Sequence, residues 1–106
     1  MRVIFKKPGK EPEVKNIKNT LKTLQNAVKG YIEILPLIED IVLICNEEGK
    51  LKGLSPNINW NRDEIVGNIV IASSCFGELK SLSDYELDIM MSALTADSNG
   101  SGGNKK

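Results

Sequence analysis

The chain has 106 residues, 41% hydrophobic and 26% charged, an ordinary composition for one globular domain with no room for two. Fourteen basic side chains balance fourteen acidic ones, and the absence of histidine removes the usual proton shuttle near neutral pH and the commonest zinc ligand. The longest apolar run, Ile41–Cys45, falls far short of the roughly 18 residues of a membrane span, and the apolar stretch Val3–Phe5 is too short for a signal peptide.

Residues 2–6, RVIFK, read as a strand, Lys7-Pro8-Gly9-Lys10 as a turn, and Glu13–Ile17 as the return strand of a hairpin. Asn19 is then the expected helix N-cap, because its side-chain oxygen can accept from the free amides of the first turn. Leu21, Leu24, Ala27 and Val28 give that helix one apolar face, with Gly30 as the expected left-handed cap and Lys29 complementing the dipole end. Tyr31–Leu37 alternates as a strand whose Pro36 places it at a sheet edge, and Ile41–Asn46 is the next strand. Glu47-Glu48-Gly49 is expected to reverse the chain into a strand over Lys50–Leu54, with Gly49 left-handed and Asn46 opposite Lys50. Ile65–Ser73 is the most β-branched strand, and Glu78–Leu82 returns after Phe76-Gly77. Ser83 and Glu86 make a capping box with Leu82 and Leu87 as its staple, while Leu87, Met90, Met91 and Leu94 form the buried stripe of a second helix.

The order is β-β-α-β-β-β-β-α: an α+β domain over residues 1–95, a mainly antiparallel sheet of five to six strands with two helices, then a flexible polar tail over residues 96–106. Several strands are apolar on both faces. If both helices cover one face, the sheet must curl or meet a partner, such as a second copy, on the other.

The neutral total hides an asymmetry. Residues 1–30 carry eight basic side chains against two acidic, a net +6, and residues 31–106 carry the compensating −6. A basic third can meet nucleic acid or face the acidic remainder of its own fold, and the zero net charge favours the second. Cys45 and Cys75 end apolar runs; with no further cysteine and no histidine they cannot build a tetrahedral zinc site and read as buried free thiols.

Catalytic patterns are missing. Gly49, Gly53, Gly67 and Gly77 are isolated, so no phosphate-cradling loop is formed, and Ser73-Ser74-Cys75 has no histidine base. The acid pairs Glu47-Glu48 and Asp63-Glu64 sit where carboxylates are ordinarily solvated, and the calcium-loop spacing is absent. No enzyme activity and no cofactor are expected. The chemically richest segment is Leu54–Glu64, LSPNINWNRDE, with Asn57, the single tryptophan Trp60, and Arg62. An indole, amides and a guanidinium form a recognition set, while the plainer reading has Trp60 plugging the end of the sheet. Lys50 and Lys52, close by in sequence, would extend an anion-binding surface.

ICNEEGKLKGLSPN (residues 44–57), preceded by GYIEILPL and followed by DEIVGNIVI, resembles a family of small domains of unknown function frequent in phages and conjugative elements. The resemblance spans roughly residues 2–95, and the central NEEGKLKGL run is its most specific part; Ser55 stands where a proline is usual, and INWN is an additional polar stretch. It implies an accessory gene product of a mobile element, working in the cytoplasm of a bacterial host, and its signature includes Asn46, Gly49, Lys50 and Asn57. Together these readings set the expectation: a non-enzymatic binding protein acting on a host system. It would block a host protein or sequester a nucleotide-like signal through Asn46, Lys50, Lys52, Asn57, Trp60 and Arg62, as a homodimer if a pocket forms between copies. The alternative is a nucleic-acid-associated protein using the basic N-terminal third.

Overall fold

The computed structural model describes the backbone of residues 1–103 and the side chains of residues 1–95. In chain order the elements are β1 (Arg2–Lys6), β2 (Glu13–Asn16), α1 (Leu21–Val28), β3 (Ile32–Ile38), β4 (Ile41–Asn46), β5 (Pro56–Trp60), β6 (Asp63–Val66), β7 (Ile69–Cys75), β8 (Glu78–Lys80) and α2 (Asp84–Gly103). The α+β class, the two helices and the antiparallel pairing are as expected. Six strands form one sheet in the order β2-β1-β7-β4-β3, with β8 also paired to β7, while β5 and β6 form a separate hairpin. β8 continues the line of β1 along the same edge of β7, joined to it where Leu82 N–H donates to Arg2 O at 2.9 Å.

Period-two alternation sorts the central strands into two cores. Ile4, Leu43, Cys45, Ile69 and Ile71 face one side, where Leu82, Met90 and Leu94 pack with Ile58 and Ile65 of the hairpin. Val3, Phe5, Ile44, Val70 and Ala72 face the other, under Leu24 and Val28 of α1. The helices therefore lie on opposite faces, and the small hairpin helps α2 cover its side. The doubly apolar strands need neither a curled sheet nor a partner.

Several local expectations change. The strand predicted over Lys50–Leu54 is a run of turns, closed by Lys52 N–H to Glu48 O at 2.9 Å and Leu54 N–H to Gly49 O at 3.0 Å. Both edges of β4 are occupied, by β3 and β7, so a returning strand has nowhere to pair. Leu51, within these turns, is 87% exposed. Gly49 is not left-handed; an added Cβ would lie 2.8 Å from Val66 Cγ2, so close approach is what requires glycine there. The predicted strand Ile65–Ser73 breaks at Gly67, whose φ of +78° ends β6 before β7 begins. The N-cap of α1 is Thr20, accepting from Thr23 N–H at 3.2 Å, while Asn19 donates to Leu79 O; the left-handed cap is Lys29, at φ +64°, rather than Gly30.

At α2 the capping box forms as read: Ser83 N–H donates to Glu86 Oε1 at 2.9 Å and Glu86 N–H to Ser83 Oγ at 3.1 Å. Burial pushes the Glu86 carboxyl up, but hydrogen bonds from Ser83 and Ser73 and the charge of Lys80 outweigh it and hold it below its usual range. The α2 backbone is helical to Gly103; the side chains of the expected tail over 96–106, and residues 104–106 altogether, lie outside the described residues. Both cysteines are free thiols, but Cys75 is exposed rather than buried, because it ends β7 at the hairpin tip.

Candidate functional site

The six side chains singled out in the sequence do not converge. Asn46, 4% exposed, seals the end of α1: its Nδ2 donates to Val28 O at 3.1 Å and Lys29 O at 3.2 Å, and its Oδ1 accepts from Glu48 N–H at 2.8 Å. Asn57 is likewise spent on the fold, donating to Lys6 O and Gly67 O and accepting from the buried Lys6 Nζ at 2.8 Å. Trp60 packs against the α2-side core with its indole N–H buried and unpartnered, which is the plug reading of this residue. Lys50 bonds Asp63 at 2.8 Å, and that hydrogen bond and charge raise its pKa above the ordinary value. Arg62 occupies the tip of the β5–β6 hairpin, where Asn61 and Arg62 both have positive φ. Lys52 lies 3.6 Å from Glu48, with both side chains about half exposed.

Two concavities flank the 47–53 turns. The first, about 260 Å³, lies between β4, the turns and β6 and is lined by Glu33, Glu48, Asp63 and Glu64 around Lys50. The Cys45 thiol forms part of its floor. Burial, followed by the charges of Glu33 and Asp63, pushes that thiol up to about 11, so it stays protonated and poorly nucleophilic at neutral pH. Among the described residues no group of His, Cys, Asp and Glu is arranged to hold a metal ion.

The second concavity, an open groove of about 430 Å³, lies between the end of α1 and the turns, lined by Gln25, Asn26, Lys29, Tyr31, Glu48 and Lys52. Its chemistry differs in kind. Tyr31 is 66% exposed and offers an aromatic face, Lys29 and Lys52 supply two cations, and Gln25 and Asn26 supply amides that can donate and accept. Among the described residues, the side chains of Gln25, Asn26, Lys29 and Tyr31 make no hydrogen bond or ion pair, so these groups remain available. Helix C-termini ordinarily repel anions; here the amide of Asn46 already occupies two of the terminal carbonyls and reduces that repulsion.

Of the sequence candidates, only Lys52 lines this groove. Gln25, Asn26, Lys29 and Tyr31 were not singled out, because they join the 47–53 turns only through tertiary contacts: Glu47 N–H to Tyr31 O at 2.8 Å, and the Asn46 seal. The local clue was an aromatic directly after a helix end, in Lys29-Gly30-Tyr31. The basic N-terminal third is partly absorbed by the fold, since Lys6 is buried and Arg2 bonds Asp84 at 2.8 Å.

A family model described as a domain of unknown function, DUF3846, matches residues 1–95. The chain belongs to this family. The match covers every element through the first turns of α2, including the 47–53 turns and both concavities. Comparison with curated proteins and with solved structures gives no match. Among the described residues no helix is long and apolar enough to cross a membrane.

Proposed function

We propose that this DUF3846 chain is a non-enzymatic accessory binding protein of a phage or mobile element that acts on a host system by sequestering a nucleotide-like anion. The observation that carries the reading is the groove at the end of α1: an exposed aromatic ring, two lysines and two unspent amides around one open volume of about 430 Å³. That volume falls within the roughly 300–1,000 Å³ of small-ligand sites. Tyr31 would stack on the planar base, Lys29 and Lys52 would meet the phosphates, and Gln25 and Asn26 would reach the base edge. Glu48 opposes an anion and is held 3.6 Å from Lys52; binding therefore swaps a weak exposed ion pair for a phosphate contact. The neighbouring acidic cleft disfavours phosphate and keeps the anion on the lysine side.

The test is calorimetric titration with linear and cyclic mono- and dinucleotides, alongside a single-stranded oligonucleotide. Binding of a nucleotide in the micromolar range, weakened at least about tenfold by Tyr31→Ala or by Lys29→Glu with Lys52→Glu, supports the reading. No binding up to about 1 mM refutes it. Preference for the oligonucleotide, with affinity falling steeply as salt rises, transfers the function to nucleic acid.

A further inference from the structure

Two features on different parts of the molecule complement each other. At one end of the sheet the β3–β4 and β7–β8 turns lie side by side, joined where Ser74 N–H donates to Asp40 O at 2.9 Å. Phe76, at the tip of the β7–β8 hairpin, is fully exposed and has a φ of +50°, with Gly77 following at +82°. Two positive φ values in a two-residue turn are the pattern that asparagine and glycine suit, and a bulky aromatic there is strained. The position thus combines a strained backbone with a ring left in water. Among the described residues nothing receives that ring. Glu39 and Asp40 of the neighbouring turn and Glu78 directly after the tip make its surroundings acidic.

The complement lies beside α1. An apolar pocket of about 250 Å³ opens there between β1, Ile17 and the helix, lined chiefly by Val3, Phe5, Ile17, Ala27 and Val70. Lys15 stands at its mouth, its ammonium 4.8 Å from the Phe5 ring and 3.8 Å from Glu13, and the exposed Lys18 and Lys22, which follow Ile17 and precede Thr23 in sequence, add positive charge nearby. The N-terminal thirty residues, which supply most of this rim, carry the net +6 of the molecule, and the knob belongs to the −6 remainder.

We propose that Phe76 of one molecule inserts into the α1–β1 pocket of a second copy, with the acidic turns meeting the lysine rim. Knob and pocket lie at different places on the molecule, so a single insertion is head-to-tail and leaves one knob and one pocket free to propagate. One buried aromatic with complementary charge makes a small interface, so the association is weak and salt-sensitive. The pocket adjoins the nucleotide groove, with Asn26 in both linings, but Phe76, Lys15 and Thr23 lie outside the groove, so the assembly is tested without altering it.

The test is solution mass by light scattering or sedimentation across roughly 10 µM to 1 mM at low and high salt. Wild type is expected to rise in mass with concentration, less so in high salt. Phe76→Asn removes the knob while suiting the turn, so it should melt higher than wild type yet stay monomeric throughout. Lys15→Glu with Thr23→Glu blocks the mouth with like charge, and Glu at position 23 can complete a capping box with Thr20. This variant should also be monomeric. Mixing the two one-faced variants should restore a 1:1 dimer and nothing larger, through the one intact knob and the one intact pocket. Wild type that stays monomeric at 1 mM, or assembles as well with Phe76→Asn, overturns the proposal.

Discussion

Replacing Asn46 tests how the chain holds the end of α1 against the sheet. The side chain is 4% exposed and makes three hydrogen bonds, at 3.1, 3.2 and 2.8 Å, to Val28 O, Lys29 O and Glu48 N–H. Each such bond is worth about 0.5–1.5 kcal/mol net, and more where truncation strands a buried partner, so Asn46→Ala should cost about 2–4 kcal/mol. For a domain of this size that lowers the melting temperature by on the order of 10 °C or more. Asn46→Asp is the sharper probe. It keeps the acceptor for Glu48 N–H but sets a carboxylate against two carbonyls at the negative end of the helix. At neutral pH it should be at least as destabilising as alanine. The buried carboxyl favours its protonated form, so its folded pKa lies above the unfolded value of about 3.9. The ionisation penalty is therefore absent below about pH 4 and grows as pH rises from there through the folded pKa. Acidification should narrow the gap between Asn46→Asp and wild type in urea unfolding followed by circular dichroism. An Asn46→Ala protein within about 0.5 kcal/mol of wild type, or an aspartate variant indifferent to pH, would refute the reasoning.

Three further expectations follow from the same geometry. Gly30→Ala would place its Cβ 2.5 Å from Asn46 Nδ2, so it should cost about 1–3 kcal/mol; combined with Asn46→Ala the loss should be clearly less than additive in denaturant unfolding. Arg62→Gly relieves a φ of +67° in the Asn61-Arg62 turn and should raise stability by about 1 kcal/mol, and a lower melting temperature would contradict the strained-turn account. The Cys45 thiol, raised from 9.0 to about 11, gives stability that is complete below pH 9 and is lost as pH climbs from 9 towards 11, where the unfolded chain ionises first. That loss is about 2 kcal/mol and should be absent from Cys45→Ala; in the native protein a thiol reagent should label the exposed Cys75 quickly and the buried, protonated Cys45 far more slowly.

The strands, helices and caps that depend on local pattern were legible in the chain itself. Apolar, β-branched runs marked β1, β4 and β7, alternation marked β3, the Ser83–Glu86 pair marked the start of α2, and Pro36 correctly placed β3 at an edge, because each is a local property of the chain. What followed Asn46 was not legible. Glu47-Glu48-Gly49 carries the pattern of a hairpin turn, but whether a strand can return along β4 depends on which edges are free, and β3 and β7 take both. Sheet order is a global property, and with it went the helices' placement on opposite faces. The candidate site divided on the same line. Asn46 and Asn57 have the chemistry of ligand-binding amides, and sequence spacing cannot distinguish a ligand from the fold's own stranded carbonyls as their partner. Tertiary packing spent both on the backbone and brought Tyr31, Lys29 and Lys52, residues from either side of two strands, around one groove. The sequence by itself thus determined the elements, the two apolar faces and the absence of familiar catalytic motifs, because those are written in local pattern and composition. The tertiary structure alone decided which polar groups remain free to bind, because that depends on which buried backbone groups needed them first.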